Sequence, residues 1–134
     1  MPHRILVVDD EQIIRDSISF ILKKEGYTIE EAANGKIAYD KITEQPFDVV
    51  ITDIEMPVMK GIELLGKVMQ VSPQTLVLVI TAYGSLDTAI AALRAGASDY
   101  ILKPLEFDEL LIKLKRMLEA RTLTVENQLL RREI

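Results

Sequence analysis

Arg4-Ile5-Leu6-Val7-Val8-Asp9-Asp10-Glu11 is the stretch whose reading decides the fold. Ile5 to Val8 leave no polar face, so the run reads as a strand covered on both sides, the mark of a central strand in a parallel sheet. Acids close it at once, and helical periodicity follows over about residues 12 to 24, with Gly26 as the stop. The alternation then repeats. Strands are predicted at Arg4 to Val8, Thr28 to Ala32, Val49 to Thr52, Leu76 to Thr81 and Asp99 to Leu102, with helices at about 12–24, 35–44, 61–70, 85–95 and from 106 onward. Residues 49–51 and 76–80 are apolar on both faces, like 5–8, whereas Thr28 to Ala32 carries Glu30 and Glu31 and reads as an edge strand. Asn34-Gly35 opens the second helix, Ser85 can cap the fourth, and Gly96 ends it.

Five consecutive βα units with right-handed crossovers leave few windings. The common solution is a doubly wound, flavodoxin-like α/β sheet in strand order 2-1-3-4-5. The 134 residues amount to one domain, and 49% hydrophobic with 28% charged residues is the composition of a globule with a real core. With 21 acidic and 16 basic residues the net charge is −5, so no basic face is available for nucleic-acid phosphates and direct DNA binding is not expected. The absence of Cys excludes disulfides, thiolate zinc sites and cysteine nucleophiles. Acids at Asp9 to Glu11 interrupt any signal-peptide pattern, and no apolar run approaches the ~20 residues of a membrane span. The expected compartment is the cytoplasm.

The last helix is unlike the others. From Glu106 to about Arg132 it contains neither Gly nor Pro. At ~1.5 Å per residue it spans roughly 40 Å, more than the domain can cover, so its end should project. Phe107, Leu110, Leu111, Leu114, Met117 and Leu118 form a stripe for packing on the sheet; beyond Ala120 only Leu123, Val125, Leu129 and Leu130 continue it among charges. The expected division is a domain over 1–120 and the start of a helical linker over 121–134, with a parallel coiled-coil dimer as one use of the tail.

In a doubly wound sheet, ligands bind outside the carboxyl ends of the central strands. Those ends carry Asp9-Asp10, Asp53, Thr81 and Lys103, the last followed by Pro104. Close-packed carboxylates repel one another unless a cation is present, and an oxygen-only donor set suits a hard ion such as Mg²⁺. Lys103 and Thr81 offer an ammonium and a hydroxyl to the anionic oxygens of a phosphoryl group on Asp53. Taken singly, Asp9 and Asp10 read equally well as helix caps, Lys103 as a solvated lysine before a turn, and Thr81 as an ordinary strand residue. Their coincidence at the four strand ends is what carries the functional reading.

These motifs make the chain resemble the receiver domain of two-component response regulators over about residues 3–120. The resemblance rests on Ile5-Leu6-Val7-Val8-Asp9-Asp10-Glu11, on Asp48-Val49-Val50-Ile51-Thr52-Asp53-Ile54-Glu55-Met56-Pro57 with Gly61, on Thr81-Ala82, and on Tyr100-Ile101-Leu102-Lys103-Pro104. It implies that Asp53 accepts a phosphoryl group from a sensor histidine kinase or from a small donor such as acetyl phosphate. It implies Mg²⁺ held by Asp9, Asp10, Asp53 and the backbone carbonyl of Glu55, with Thr81 and Lys103 on the phosphoryl oxygens and a cis Lys103-Pro104 bond. Thr81 would then move and Tyr100 turn, changing the face of the fourth helix, fifth strand and fifth helix. Ala82 would leave the site open to water, and Glu55 and Tyr83 would tune the lifetime of the acyl phosphate. Such a domain is a signalling switch rather than an enzyme beyond its own phosphorylation and dephosphorylation.

Thr81-Ala82-Tyr83-Gly84-Ser85-Leu86-Asp87-Thr88-Ala89 and the ending Leu123 to Glu133 are similar to sigma-54-dependent transcriptional activators of the nitrogen-regulator type. This shorter likeness implies an attached AAA+ ATPase and a DNA-binding domain, and a homodimer through the fourth and fifth helices and the linker.

Other chemistries fit less well. A flavin carrier of the same fold would need a Ser/Thr/Gly-rich phosphate loop where Asp9-Asp10-Glu11 stands. An aspartyl-phosphate phosphohydrolase usually carries Asp-x-Asp, and adjacent acids point to opposite sides of an extended chain. A phosphorylation-independent interaction module would have no need of all the reactive residues.

Overall fold

The computed structural model describes residues 2–56, 58–82 and 86–133, with side chains as far as residue 123. Among the described residues the chain alternates β1 (Arg4–Val8), α1 (Gln12–Lys24), β2 (Thr28–Ala32), α2 (Gly35–Glu44), β3 (Val49–Asp53), α3 (Gly61–Val71), β4 (Leu76–Thr81), α4 (Leu86–Arg94), β5 (Asp99–Leu102) and α5 (Phe107–Glu133). The strands form one parallel sheet in the order β2-β1-β3-β4-β5, the common winding expected from the sequence. β2 is an edge strand, and its Glu30 meets Arg4 at 2.5 Å and Lys41 at 3.4 Å instead of facing a core.

Strand alternation divides the core in two. Ile5, Val7, Val49, Ile51, Leu78, Ile80 and Ile101 pack against Ile18 and Leu22 of α1 and Leu110, Leu114, Met117 and Leu118 of α5. Leu6, Val8, Val50, Val77 and Val79 face the other way, onto Ala38 and Ile42 of α2, Leu64, Leu65 and Val68 of α3, and Ala92 of α4. Each large side chain buried here contributes about 1.5–3 kcal/mol, which is why the central strands can be apolar throughout.

Local signals close the units as expected. The Asn34 side chain accepts the Ile37 N–H at 2.9 Å and caps α2. Gly26 and Gly96 follow their helices with φ +95° and +115°, a region that disfavours any Cβ. α1 lacks a side-chain cap from its own N-cap residue, Glu11. Observed bounds differ from the sequence reading by one residue: α3 runs on to Val71, α4 spans 86–94, and β3 includes Asp53. Pro57, Tyr83, Gly84 and the Ser85 cap lie outside the described residues, as do the side chains of Val125, Leu129 and Leu130 in the tail.

Candidate functional site

The carboxyl ends of β1, β3 and β5 meet at one edge of the sheet. Residues pointing to the α1/α5 side alternate as Ile5, Val7, Asp9 along the first strand, as Val49, Ile51, Asp53 along the third, and as Ile101, Lys103 along the fifth. Alternation therefore delivers two carboxylates and one ammonium to the same face. Lys103 Nζ donates to Asp53 Oδ2 at 2.7 Å, with the Asp53 side chain 3% exposed and that of Lys103 32% exposed. The other oxygen, Oδ1, accepts the Glu55 N–H at 2.9 Å, so a turn of the following loop orients the carboxylate.

Asp10 joins from the loop after β1. One carboxylate oxygen each from Asp9, Asp10 and Asp53 lie within 4.8 Å of one another, Asp9 and Asp53 buried and Asp10 exposed. Asp9 Oδ1 accepts the Glu11 N–H at 2.8 Å, whereas Oδ2 is buried without a hydrogen-bond partner. An unpartnered buried carboxylate oxygen is costly. Burial chiefly, with the neighbouring Asp53 and Asp10 charges, pushes the Asp9 carboxyl up to about 6, against the pull of the Glu11 amide and Lys103. This is the strain a divalent cation would relieve, and an all-oxygen donor set fits a hard one. Burial alone would lower the Lys103 ammonium, but the hydrogen bond and charge of Asp53, with Asp9 and Glu11, raise it instead. It stays a cation.

Thr81 ends β4 buried and adjacent, but on the opposite alternation, and its hydroxyl makes no hydrogen bond to Asp53; its backbone carbonyl accepts the Lys103 N–H at 2.7 Å. Ala82 is exposed. The Lys103-Pro104 peptide is cis. Tyr100 is half-buried against the α2/α3/α4 core, with Lys113 Nζ 4.9 Å from its ring centroid and donating to its carbonyl; Lys113 also pairs with Asp99 at 3.6 Å and Glu109 at 3.5 Å.

Two residues position the site from behind: Gly61, which the sequence motif contains without showing what it packs against, and Arg15, which was not singled out from sequence. Gly61 opens α3 directly behind β3: a Cβ there would lie 2.5 Å from the Asp53 carbonyl oxygen and 2.7 Å from Ile54 Cα. Arg15, one turn into α1, donates through Nη1 to the Asp9 carbonyl at 2.7 Å. A glycine after a proline-containing loop hints at the first, and nothing local marks the second.

A doubly wound parallel sheet that gathers three carboxylates and a lysine at its strand ends defines a domain built around a cation-ready acidic cleft. The model of the response regulator receiver domain family matches residues 5–115, and the chain belongs to that family, the receivers of two-component response regulators. It is 44% identical over 114 residues to the transcriptional regulatory protein ZraR of Klebsiella oxytoca, covering 85% of this chain and 26% of that protein. With the response regulator protein PilR of Pseudomonas aeruginosa it shares 40% over 124 residues, 92% of this chain and 27% of that one. The chain thus spans about a quarter of the length of these relatives. Among solved structures, NtrX from Brucella abortus superposes with a TM-score of 0.91 at 35% identity, over 97% of this chain and 30% of NtrX. A CheY-like receiver domain protein from Methanospirillum hungatei gives 0.88 at 38% identity, over 92% and 99%. No helix among the described residues is long and apolar enough to cross a membrane.

Proposed function

We propose that this receiver works as a phosphorylation switch in which Asp53 accepts a phosphoryl group from a sensor histidine kinase or a small donor such as acetyl phosphate. The observation that carries this reading is the buried Asp53 carboxylate held by Lys103 at 2.7 Å inside a triad of acids. An Asp53 carboxylate oxygen attacks phosphorus, the bond from phosphorus to the donor's imidazole nitrogen or acetate oxygen breaks, and the leaving group departs with its electron pair. Lys103, on a flexible stem, passes from the carboxylate to the incoming phosphoryl oxygens, and the Thr81 hydroxyl donates to them. Asp9, Asp10 and Asp53, with the Glu55 carbonyl, would hold Mg²⁺; when bound, the ion offsets negative charge on the acceptor and the phosphoryl group. Exposed Ala82 leaves water access for later hydrolysis, and Glu55 and Tyr83 tune its rate.

The phosphoryl group adds about −1.5 to −2 charge, which draws Thr81 across and lets Tyr100 turn. This remodels the α4-β5-α5 face, where Leu86, Ile90, Leu93 and Ile112 are already exposed. We read residues 1–120 as the receiver and 121–134 as the start of a helical linker, with homodimerisation through α4, α5 and the linker. The relatives' greater length and names support an attached output domain that regulates transcription, and the sequence likeness at the linker makes it one of the sigma-54-dependent activator type, an AAA+ ATPase with a DNA-binding domain. DNA contact would belong to that part, and the assembly would act in the cytoplasm.

Intact-mass measurement after incubation with acetyl phosphate and Mg²⁺ tests the chemistry. Wild type gains one phosphoryl group; Asp53→Asn, and wild type in EDTA, gain none. Equal labelling of Asp53→Asn sinks the assignment.

A further inference from the structure

Asp9 is held at every polar atom but one. Its N–H donates to the Ala32 carbonyl at 3.2 Å, its Oδ1 accepts from Glu11, and its carbonyl accepts from Arg15 at 2.7 Å, leaving Oδ2 as the buried oxygen without a partner. Two of these bonds come from the chain's regular path or its next turn. The third comes from a side chain that folds back from α1 across the helix N-terminus, where the macrodipole disfavours a cation. The Arg15 side chain is only 15% exposed, and its Nε lies 3.5 Å from Glu31 Oε1 on β2. The guanidinium therefore bridges the β1–α1 loop to the neighbouring strand through two separate nitrogens.

We propose that Arg15 is a positioning residue for the cation site: by clamping the Asp9 carbonyl against β2 through Glu31, it fixes the loop that presents Asp9 and Asp10 beside Asp53. This rests on reading the acidic triad as a Mg²⁺ site. A fork with donors in fixed geometry can hold two acceptors at once, whereas an ammonium is a single point. Groups that orient metal ligands from behind are worth about 10–100-fold in metal affinity.

The sign separates this role from a simple charge effect. A guanidinium near the site repels a divalent cation, so if Arg15 acted only through its charge, removing it would tighten Mg²⁺ binding. Clamping predicts the reverse.

Calorimetric titration of Mg²⁺ into the 134-residue chain decides the matter, with melting in EDTA measured alongside. Arg15→Ala is expected to raise the Mg²⁺ Kd about tenfold or more. Arg15→Lys, which keeps the charge and one donor, should lie between the two. A Kd for Arg15→Ala that is unchanged or lower overturns the proposal, whatever happens to the melting temperature in EDTA. If Arg15→Ala does not fold, Arg15→Lys decides: weaker binding than wild type supports the clamp, and equal or tighter binding overturns it. Failure of the wild type itself to bind Mg²⁺ overturns the reading of the triad and the clamp together, a result distinct from normal binding by the variants.

Discussion

Two glycines on one helix make a sharp test of how β3 is seated. At Gly61 an added Cβ would sit 2.5 Å from the Asp53 carbonyl oxygen and 2.7 Å from Ile54 Cα, whereas contacts under 3.0 Å are essentially never seen, so backbone must move by about half an ångström. The obstructing atoms are main chain in a buried strand end, which cannot swing aside as a side chain could. Gly61→Ala should therefore cost about 1–3 kcal/mol in the manner of an overpacked core. With an unfolding entropy of about 2.1 cal/mol/K per residue, this lowers Tm by about 4–10 °C. At Gly66, also in α3, nothing lies within 4 Å of the added Cβ. There Ala gains the ordinary helix advantage of about 0.5–1 kcal/mol, and Tm should rise by about 2–4 °C. Thermal melts of both variants by circular dichroism read the difference. Since the clash bears on Asp53, the proposed acceptor, Gly61→Ala should also slow labelling by acetyl phosphate while Gly66→Ala leaves it unchanged. A Gly61→Ala protein that melts with wild type, or above it, would refute the claim that α3 is docked in contact with β3.

Other perturbations have equally definite signs. Asp9→Asn removes one of three crowded charges and should raise the Tm of the EDTA-treated protein while cutting the stabilisation that Mg²⁺ gives to wild type; a variant less stable than wild type in EDTA would contradict the repulsion read from the triad. Asp48 accepts from the Arg4 amide at 2.8 Å and from Arg121 at 3.0 Å; burial pushes its carboxyl up, but these bonds and the charges of Arg121 and His3 outweigh it and hold the pKa below 3.8. A depressed folded pKa stabilises above the unfolded value and is lost as pH falls through the folded one. Asp48→Asn should thus be about 1 kcal/mol less stable at pH 7, and urea titrations should show the gap to wild type closing below about pH 4. Val58, 78% exposed, holds φ at +72°, a conformation costing a β-branched residue about 1–2 kcal/mol. After the unfolded-state entropy of glycine is subtracted, Val58→Gly should still stabilise by about 0.5–1 kcal/mol, and a loss in urea titration would count against the strain.

The architecture was legible because two periods compete plainly in this chain. Runs such as Ile5 to Val8 and Leu76 to Ile80 are too apolar to face water on either side, and helical segments follow within a few residues, so only a covered parallel sheet satisfies both. Order then follows from handedness and from Glu30 and Glu31 marking an edge. The bounds of α3 and α4 were less legible, since the last turn of a helix is decided by what it packs against as well as by its own residues. Val68 is buried, and α3 runs three residues beyond it.

For the site, strand ends told which residues come together but not which of them touch. Counting along β3 and β5 puts Asp53 and Lys103 on one face, and they do pair; the same counting puts Thr81 on the other, so the role proposed for it would require the movement that the proposed switch supplies. What no pattern revealed are contacts made by backbone. The Asp9 carbonyl that receives Arg15 and the Asp53 carbonyl that crowds Gly61 belong to every residue type alike, so neither leaves a mark on the residue that owns it. Only the partner's identity carries the information: Gly61 stands in the motif with no sign of what it packs against, and a lone arginine in a helix has many ordinary reasons to be there. The groups that hold the clustered carboxylates in register are therefore the ones a sequence shows least, and the ones whose substitution should separate cation binding from folding.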